Sequence, residues 1–494
     1  MIPIHVHLNN NFQKVGFASG GAREAQPQKD NAFIPAPARY HVQQRKSPSR
    51  APGTRRGSCH LYPSVAKEPM VRHRFLSPAL AALAVFACLP AILFLLAYPG
   101  GRGAMVLLAK VSAFLAFGTL ATVIILGTRM MFLERRLGGL DAMYLVHHVF
   151  GMAALVFMSL HPVFLAAAYW RFRAWDAFFL PWVSLGNAAG GIALALTIVL
   201  VILSVCSWLP YQSWLATHRG MGAVLVLSIA HTLAVGRSVD GLVRVIVILY
   251  GAAALAAYVY KVAAYRHVGP RRRGTVSSVS ATGDVVRLTI ELSRPFPSLR
   301  PGQFLYLSVR GGAVPPESHP FSVVGSTDRS LSLAAKRSGD YTTGLKLAKE
   351  GDPVVLYGPY GGMHRHYEGS DRPHIWIAGG IGITPFRSLW EDAVTSGTAR
   401  GVLLVWSVRD RKEAFLDSEL ATRNREGLRY RLWESRSDGR LTAQGVAALA
   451  PFSLDRADVM LCGPDAMMYE LSHQFIALGV PASRIYYETF SYRD

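Results

Sequence analysis

Six apolar runs in series, near residues 76–98, 105–127, 144–168, 184–208, 214–235 and 242–265, constrain this chain more than any other feature. Each reaches the ~20 residues needed to cross a bilayer's hydrocarbon core. A segment in lipid must satisfy its own backbone hydrogen bonds, so the runs predict six helices. A cleavable signal peptide does not account for the first run, which is long and is followed by five more. Composition points the same way: 17% of the 494 residues are charged and 51% are hydrophobic, where soluble chains carry about a quarter charged. That balance excludes disorder throughout. Cys59, Cys88, Cys206 and Cys462 form no C-x-x-C pair, which excludes a disulfide framework and a zinc ribbon and leaves histidine to hold any metal.

The net charge of +21 is unevenly placed. Residues 1–74 hold twelve Lys/Arg against Glu24, Asp30 and Glu68, in a Pro-, Gln-, Ser- and Gly-rich stretch without apolar periodicity. Residues 1–70 are therefore expected to be a disordered basic extension, or to lie upstream of a true start at Met70. No basic fold or stacking aromatics accompany the charge, so no nucleic-acid partner is expected. Around the spans, Arg72 and Arg74 precede the first and Arg129, Arg135 and Arg136 follow the second. Arg219 opens the fifth, and Arg266, Arg271, Arg272 and Arg273 follow the sixth. The alternate loops hold fewer. The positive-inside rule then predicts a multi-pass membrane protein with both termini in the cytoplasm, together with everything after span six.

Ionisable residues within spans are functional candidates, because lipid makes them costly. Span three carries His147, His148 and His161; span five carries His218 and His231. Fourteen residues separate His147 from His161, about 21 Å of helix, with the two side chains within roughly 40° of one face. His148 falls about 140° away from His161, which favours His147. His218 and His231 are thirteen apart, so span five needs a tilt, a bend or a π-bulge to aim both rings inward. A lone histidine of this kind would read as an interhelical hydrogen bond or part of a proton path. Four in matched pairs, His147 with His218 and His161 with His231, read instead as axial ligands of two haem irons. Gly151 and Gly222 each follow a histidine by four residues and are expected to give a flat porphyrin room against backbone.

Past a basic linker at 266–273 the apolar runs shorten to strand length. Thr275–Ser280, Val285–Leu292, Gln303–Val309, Phe321–Val324, Leu331–Lys336 and Pro353–Leu356 are spaced like a small antiparallel barrel. Three insertions carry chemistry. His319-Pro320-Phe321-Ser322 ends in a hydroxyl suited to a flavin ring, with Phe321 as an aromatic wall. Ser338 to Thr343, with Gly339, Thr342 and Thr343, opens a helical stretch able to hold a pyrophosphate. Tyr357-Gly-Pro-Tyr-Gly-Gly362 is a tight turn.

From His374 strands and helices alternate, with His374–Ala378, Gly401–Ser407, Leu428–Trp433 and Val459–Cys462 as strands. The turn holding Gly379, Gly380, Gly382, Thr384 and Pro385 has a strand before it and a helix after it, as a dinucleotide pyrophosphate requires. Cys462-Gly463-Pro464 ends a later strand where a nicotinamide would lie. Ser407 and Arg409 follow the second strand, where a 2′-phosphate would be read, which leans to NADPH with NADH as the alternative.

On these residues, the chain from about 76 onward resembles the ferric reductase/NADPH oxidase superfamily of transmembrane flavocytochromes b, and more narrowly bacterial single-chain ferric reductases. The soluble half is similar to ferredoxin–NADP reductases, with Glu488-Thr-Phe490 as a further match. The resemblance implies a multi-domain chain: a six-helix transmembrane haem-binding bundle (71–268), an antiparallel β-barrel FAD domain (269–368) and an α/β Rossmann-like NAD(P)-binding domain (369–494). It implies FAD and two haem b as cofactors, and Phe490, with Tyr492 as rival, as the aromatic that stacks on the flavin beside Ser322 and Cys462. The implied activity is electron transfer from NAD(P)H to an acceptor across a bacterial inner membrane. A ferric chelate is the first reading. Oxygen, reduced to superoxide or peroxide, and a dedicated partner protein are the alternatives; a transporter with an attached regulatory domain would bind no haem.

Overall fold

The computed structural model describes residues 78–98, 100, 103–170, 184–205, 209–236, 240–296, 299–311, 314–315, 317–397 and 401–488. The basic extension, Phe490 and Tyr492 lie outside them. Among the described residues, six helices are long and apolar enough to cross a membrane: Pro78–Leu96, Ala104–Leu126, Leu140–Tyr169, Leu185–Val205, Tyr211–Val235 and Gly241–Val268. Their shared core joins Phe94, Phe114, Phe117, Leu200, Leu225 and Val247, and span two is the most enclosed of the six. Spans one and two touch backbone to side: a Cβ on Gly118 would lie 1.9 Å from the Ala87 carbonyl oxygen. Small residues allow such approaches in lipid, where helix association depends on packing. Span six is tied to span one by Tyr250, which stacks on Phe86 at 4.5 Å and donates its hydroxyl to the Phe86 carbonyl.

Span five comes in two pieces, Tyr211–Arg219 and Met221–Val235, interrupted at Gly220 between its two histidines. Span six runs through a π-helical stretch, Tyr260–Ala264, into a last turn, Tyr265–Val268. Only Gly269 and Pro270 then separate it from the first strand, so the basic segment 266–273 is no free linker. It is split between the helix end and the strand, because proline cannot continue the helix.

Six strands close an antiparallel barrel in the order β1-β2-β5-β4-β3-β6: β1 Arg271–Thr282, β2 Val285–Leu292, β3 Phe304–Val309, β4 His319–Ser326, β5 Ser330–Lys336 and β6 Pro353–Tyr360. His319-Pro320-Phe321-Ser322, expected as an insertion, is the first half of β4, with Ser322 opposite Phe304. Phe321 packs in the barrel interior near Tyr341, so it supports the strand from inside and forms no exposed wall.

The last part is a five-stranded parallel sheet ordered β11-β10-β7-β8-β9: β7 His374–Gly379, β8 Val402–Val408, β9 Leu428–Glu434, β10 Asp458–Cys462 and β11 Ile485–Glu488. β11 was not foreseen; it pairs Glu488 with Cys462. The helix Ile383–Ser396 docks this sheet onto the barrel: Ser388 Oγ accepts from Gly302 N–H, and Arg387 donates to the Val324 carbonyl.

Candidate functional site

Within the bundle, the rings of His147 and His218 have centroids 6.1 Å apart, and those of His161 and His231 are 6.2 Å apart. Two imidazoles facing across one metal ion need about 2 Å from metal to each nitrogen and about 1 Å more to each ring centre, roughly 6 Å in all. His148 is exposed, as the helical angle predicted. The interruption at Gly220 lets two rings thirteen residues apart both meet span three.

All four Nδ1 atoms are engaged. His147 donates to the Val123 carbonyl at 3.1 Å, His161 to Ala109 at 2.7 Å and His231 to Gly186 at 2.8 Å. A carbonyl only accepts, so these Nδ1 atoms carry the proton and each Nε2 keeps its lone pair. His218 Nδ1 meets Ser204 Oγ at 3.1 Å, and that hydroxyl gives its own proton to the Leu200 carbonyl at 2.7 Å. His218 is therefore the donor as well. Histidines that bind metal are commonly fixed in this way through the other nitrogen. Val123 and Ala109 are fourteen residues apart on span two, matching the His147–His161 spacing on its antiparallel neighbour.

Among the described residues, no group of three or more His, Cys, Asp or Glu is placed to hold a bare ion. Two opposed imidazoles suit a metal whose other positions are filled by a macrocycle. A cavity of 540 Å³ adjoins the outer pair, lined by His161, His231, Phe117, Met158, Gly190 and Gly191. Gly190 is what admits His231, since a Cβ there would lie 2.6 Å from its Nδ1. Gly151 faces open space as expected, but Gly222 does not. The Tyr258 ring fills its place, held by a hydrogen bond to the Arg219 carbonyl, so no porphyrin face is left there.

Below the bundle, the glycine-rich turn and the Cys462-Gly463-Pro464 turn pack on each other. A Cβ on Gly382 would lie 2.2 Å from the Cys462 carbonyl oxygen, and one on Gly379 would strike Pro464 and Met467. These glycines therefore close the two turns together; Gly380, at φ +54° with open space beside it, is the one left facing outward. Thr384 and Pro385 are buried in the first turn of the helix that follows. Gly382→Ala is expected to destabilise this domain by about 1–3 kcal/mol, the usual range for overpacking, and to raise the KM for nicotinamide nucleotide, checked by thermal melts and steady-state kinetics.

Ser407 pairs with Gly379 across β7 and β8, which puts it beside that turn, and Arg409 is exposed two residues later. The Thr342 hydroxyl accepts from the N–H groups of Ser338 and Gly339, so it caps its own loop. Those two amides are thus engaged within the loop, which revises the expectation of them as pyrophosphate donors. His319 stacks on Tyr341 at 4.1 Å and bonds Glu317.

Ser322 and Cys462 converge on one seam. Ser322 pairs with Phe304, and a Cβ on Gly361 (φ +103°) would touch both Phe304 and Glu488 Oε1; Glu488 pairs with Cys462. Cys462 is 1% exposed and Glu488 2%. Burial, then the Glu488 carboxylate, pushes the Cys462 thiol pKa up, so it stays protonated.

The same seam reaches the membrane part through a residue the sequence reading missed. Glu134, in the short helix Met131–Leu137 between spans two and three, is 1% exposed. Its Oε1 accepts from Gly361 N–H at 3.2 Å, while Gly362 N–H donates to Glu488 Oε1 at 3.3 Å. Arg365 lies 3.9 Å from Glu134. Burial raises the Glu134 pKa above the ordinary carboxylate value, against the lowering pull of Arg365 and the Gly361 N–H. Nearby, Arg129 adopts φ +58° and lies over the Tyr306 ring at 4.5 Å, and Tyr265 and Tyr360 share a hydrogen bond at 2.6 Å.

Three family models match this chain: "Ferric reductase like transmembrane component" over residues 112–229, "FAD-binding domain" over 272–363 and "Oxidoreductase NAD-binding domain" over 376–473. Among similar proteins, the flavohemoprotein of Vibrio cholerae is 28% identical over 204 residues, 39% of this chain and 51% of that protein. The ferredoxin–NAD(P)(+) reductase component of the naphthalene 1,2-dioxygenase system of Pseudomonas putida is 27% identical over 244 residues, 44% and 68%. The chain thus spans about half the length of the first relative and about two thirds of the second. A solved cytochrome P450 reductase from Amycolatopsis aligns with 24% identity and a TM-score of 0.40, covering 44% of this chain and 69% of its own.

Proposed function

We propose, from the premise that this chain belongs to the ferric reductase/NADPH oxidase type of membrane flavocytochrome and is an NAD(P)H-dependent oxidoreductase, that it reduces a ferric chelate across the bilayer with electrons from cytoplasmic NADPH. The supporting observation is the pair of opposed imidazole pairs, each at about 6 Å between centroids with every Nδ1 proton engaged. FAD and two b-type haems, when bound, supply the conversion of a two-electron hydride into single electrons. His147 and His218 would hold the inner iron, His161 and His231 the outer.

The chain's own residues do the rest. The turn from Gly379 to Pro385 receives the dinucleotide pyrophosphate at a helix N-terminus. Ser407 and Arg409 read the 2′-phosphate. Cys462 and Glu488, buried at the strand ends, exclude water where the nicotinamide meets the flavin, and the Ser322 hydroxyl offers that ring a hydrogen bond. Phe490 follows Glu488 by two residues and is the proposed stacking aromatic.

The purified full chain should show a b-type Soret band and a flavin spectrum, with about two haems per FAD. NADPH should reduce a ferric chelate with little oxygen uptake. Colourless protein after expression with ample haem would sink the reading, and oxygen consumption matching NADPH without iron would move the acceptor to oxygen. Arg409→Ala is expected to raise the KM for NADPH about tenfold to a hundredfold, since a charge-assisted hydrogen bond contributes about 1.5–3 kcal/mol. The KM for NADH should hardly change.

A further inference from the structure

A second cavity, of 570 Å³, lies at the foot of span six. It is lined by Arg266, His267, Arg271, Arg273 and Arg310, over a floor of Gly274, Pro353, Val354 and Val355. The charged side chains in that lining are all basic. Among the described residues, Arg266, Arg271, Arg273 and Arg310 enter no ion pair.

The position of this groove follows from chain geometry. Arg266 and His267 belong to the last turn of the apolar helix Gly241–Val268, whose final residue is 71% exposed. After two intervening residues β1 begins, so Arg271 and Arg273 stand at the boundary between bilayer and water. On a strand, residues two apart share a face. Arg272 points the other way, donating to the Pro295 carbonyl and lying over Phe296. Arg310 comes from a different hairpin; its N–H donates to the Pro353 carbonyl at 2.7 Å, which brings its side chain to the same floor.

Arginines after a span commonly serve only to orient it. That role explains Arg266 and Arg271, but not Arg310, which lies 37 residues beyond Arg273 and reaches the groove through the barrel fold. Like charges brought together without a counter-charge repel, so an anion seated among them would stabilise the arrangement. Guanidinium forks match phosphate oxygens in pairs. The floor of valine and proline suits an amphiphile, and basic pockets beside spans are the usual receptors of anionic headgroups. β4, which carries His319 to Ser322, contributes nothing to the lining, so the groove is separate from the flavin and nucleotide seam.

We propose that this groove binds a phosphate anion, supplied by the headgroup of an anionic phospholipid of the surrounding leaflet. The inference depends on span six crossing the membrane and not on the electron-transfer reading.

The test uses the delipidated full chain in detergent, observed by native mass spectrometry while phosphatidylglycerol, phosphatidylcholine or inorganic phosphate is added. Phosphatidylglycerol should bind at least tenfold more tightly than phosphatidylcholine. The double variant Arg273→Gln/Arg310→Gln should lose that preference, while Arg272→Gln keeps it. Full competition by millimolar inorganic phosphate would support the phosphate site but assign it to a soluble anion. Equal binding of phosphatidylglycerol and phosphate to wild type and double variant would overturn the proposal.

Discussion

His161→Ala or His231→Ala should each remove one of two b-type haem signals and drop electron transfer across the membrane to background. Reduction of a soluble dye by NADPH at the flavin should be retained. The outer pair lies 6.2 Å apart, and its Nδ1 protons are held by Ala109 and Gly186, so truncating one ring would leave a single imidazole where two would hold the haem iron. His147→Ala or His218→Ala should do the same at the inner pair, whereas His148→Ala should leave the spectrum alone, because its ring is exposed. A graded case is Ser204→Ala. It keeps all four imidazoles but removes the oxygen that holds the His218 Nδ1 proton. Partners of this kind influence affinity by about 10–100-fold, so this variant should bleach one haem on dilution while His218 itself remains. Spectra of the four alanine variants that match wild type would refute the ligand set.

Much of this was legible locally. An apolar run of some twenty residues and a strand with period two are both properties of neighbouring residues, so the spans and the barrel strands fall close to where the sequence puts them. The His pairs are also readable, because helical angle depends only on spacing; the thirteen-residue interval required an irregularity, and it lies at Gly220. Misreadings arose where a residue's partner is remote in sequence. Gly222 looks like porphyrin room until Tyr258, from another helix, fills it. The glycines at 379 and 382 are also needed by the turn after β10, a role that local spacing does not announce. Strand β11 has four residues, too few for a period to declare itself. Glu134 sits in Met-Phe-Leu-Glu-Arg-Arg-Leu, which reads as a solvated basic loop, and its amide partner is 227 residues away. Its one local sign was being the sole acid among the arginines between spans two and three.

That residue carries the second large effect. Glu134→Ala should slow NADPH-driven reduction across the membrane by about 10–100-fold while sparing dye reduction at the flavin. The Gly361 N–H would lose its acceptor, and an orphaned buried amide costs about 1–3 kcal/mol. Arg365 would lose its carboxylate as well. Because Gly362 N–H holds Glu488, displacement of the dipeptide reaches the Cys462 strand end and the membrane junction together. Glu134→Gln keeps an oxygen for the amide and should stay close to wild type, which separates loss of the hydrogen bond from loss of charge.

The pH dependence has a definite sign. Burial raises the Glu134 pKa in the folded chain, so the native state holds its proton more tightly than the unfolded one. Stability from this group is therefore greatest below the ordinary carboxylate value and is lost as pH rises through the raised one. A surface ion pair with Arg365 would give the opposite slope. Thermal melts of the full chain from pH 4 to 8 should show Glu134→Gln gaining on wild type as pH increases. Parallel melting curves across that range would show that Glu134 carries no burial cost, and an alanine variant as active as the glutamine one would show that it does not hold the junction.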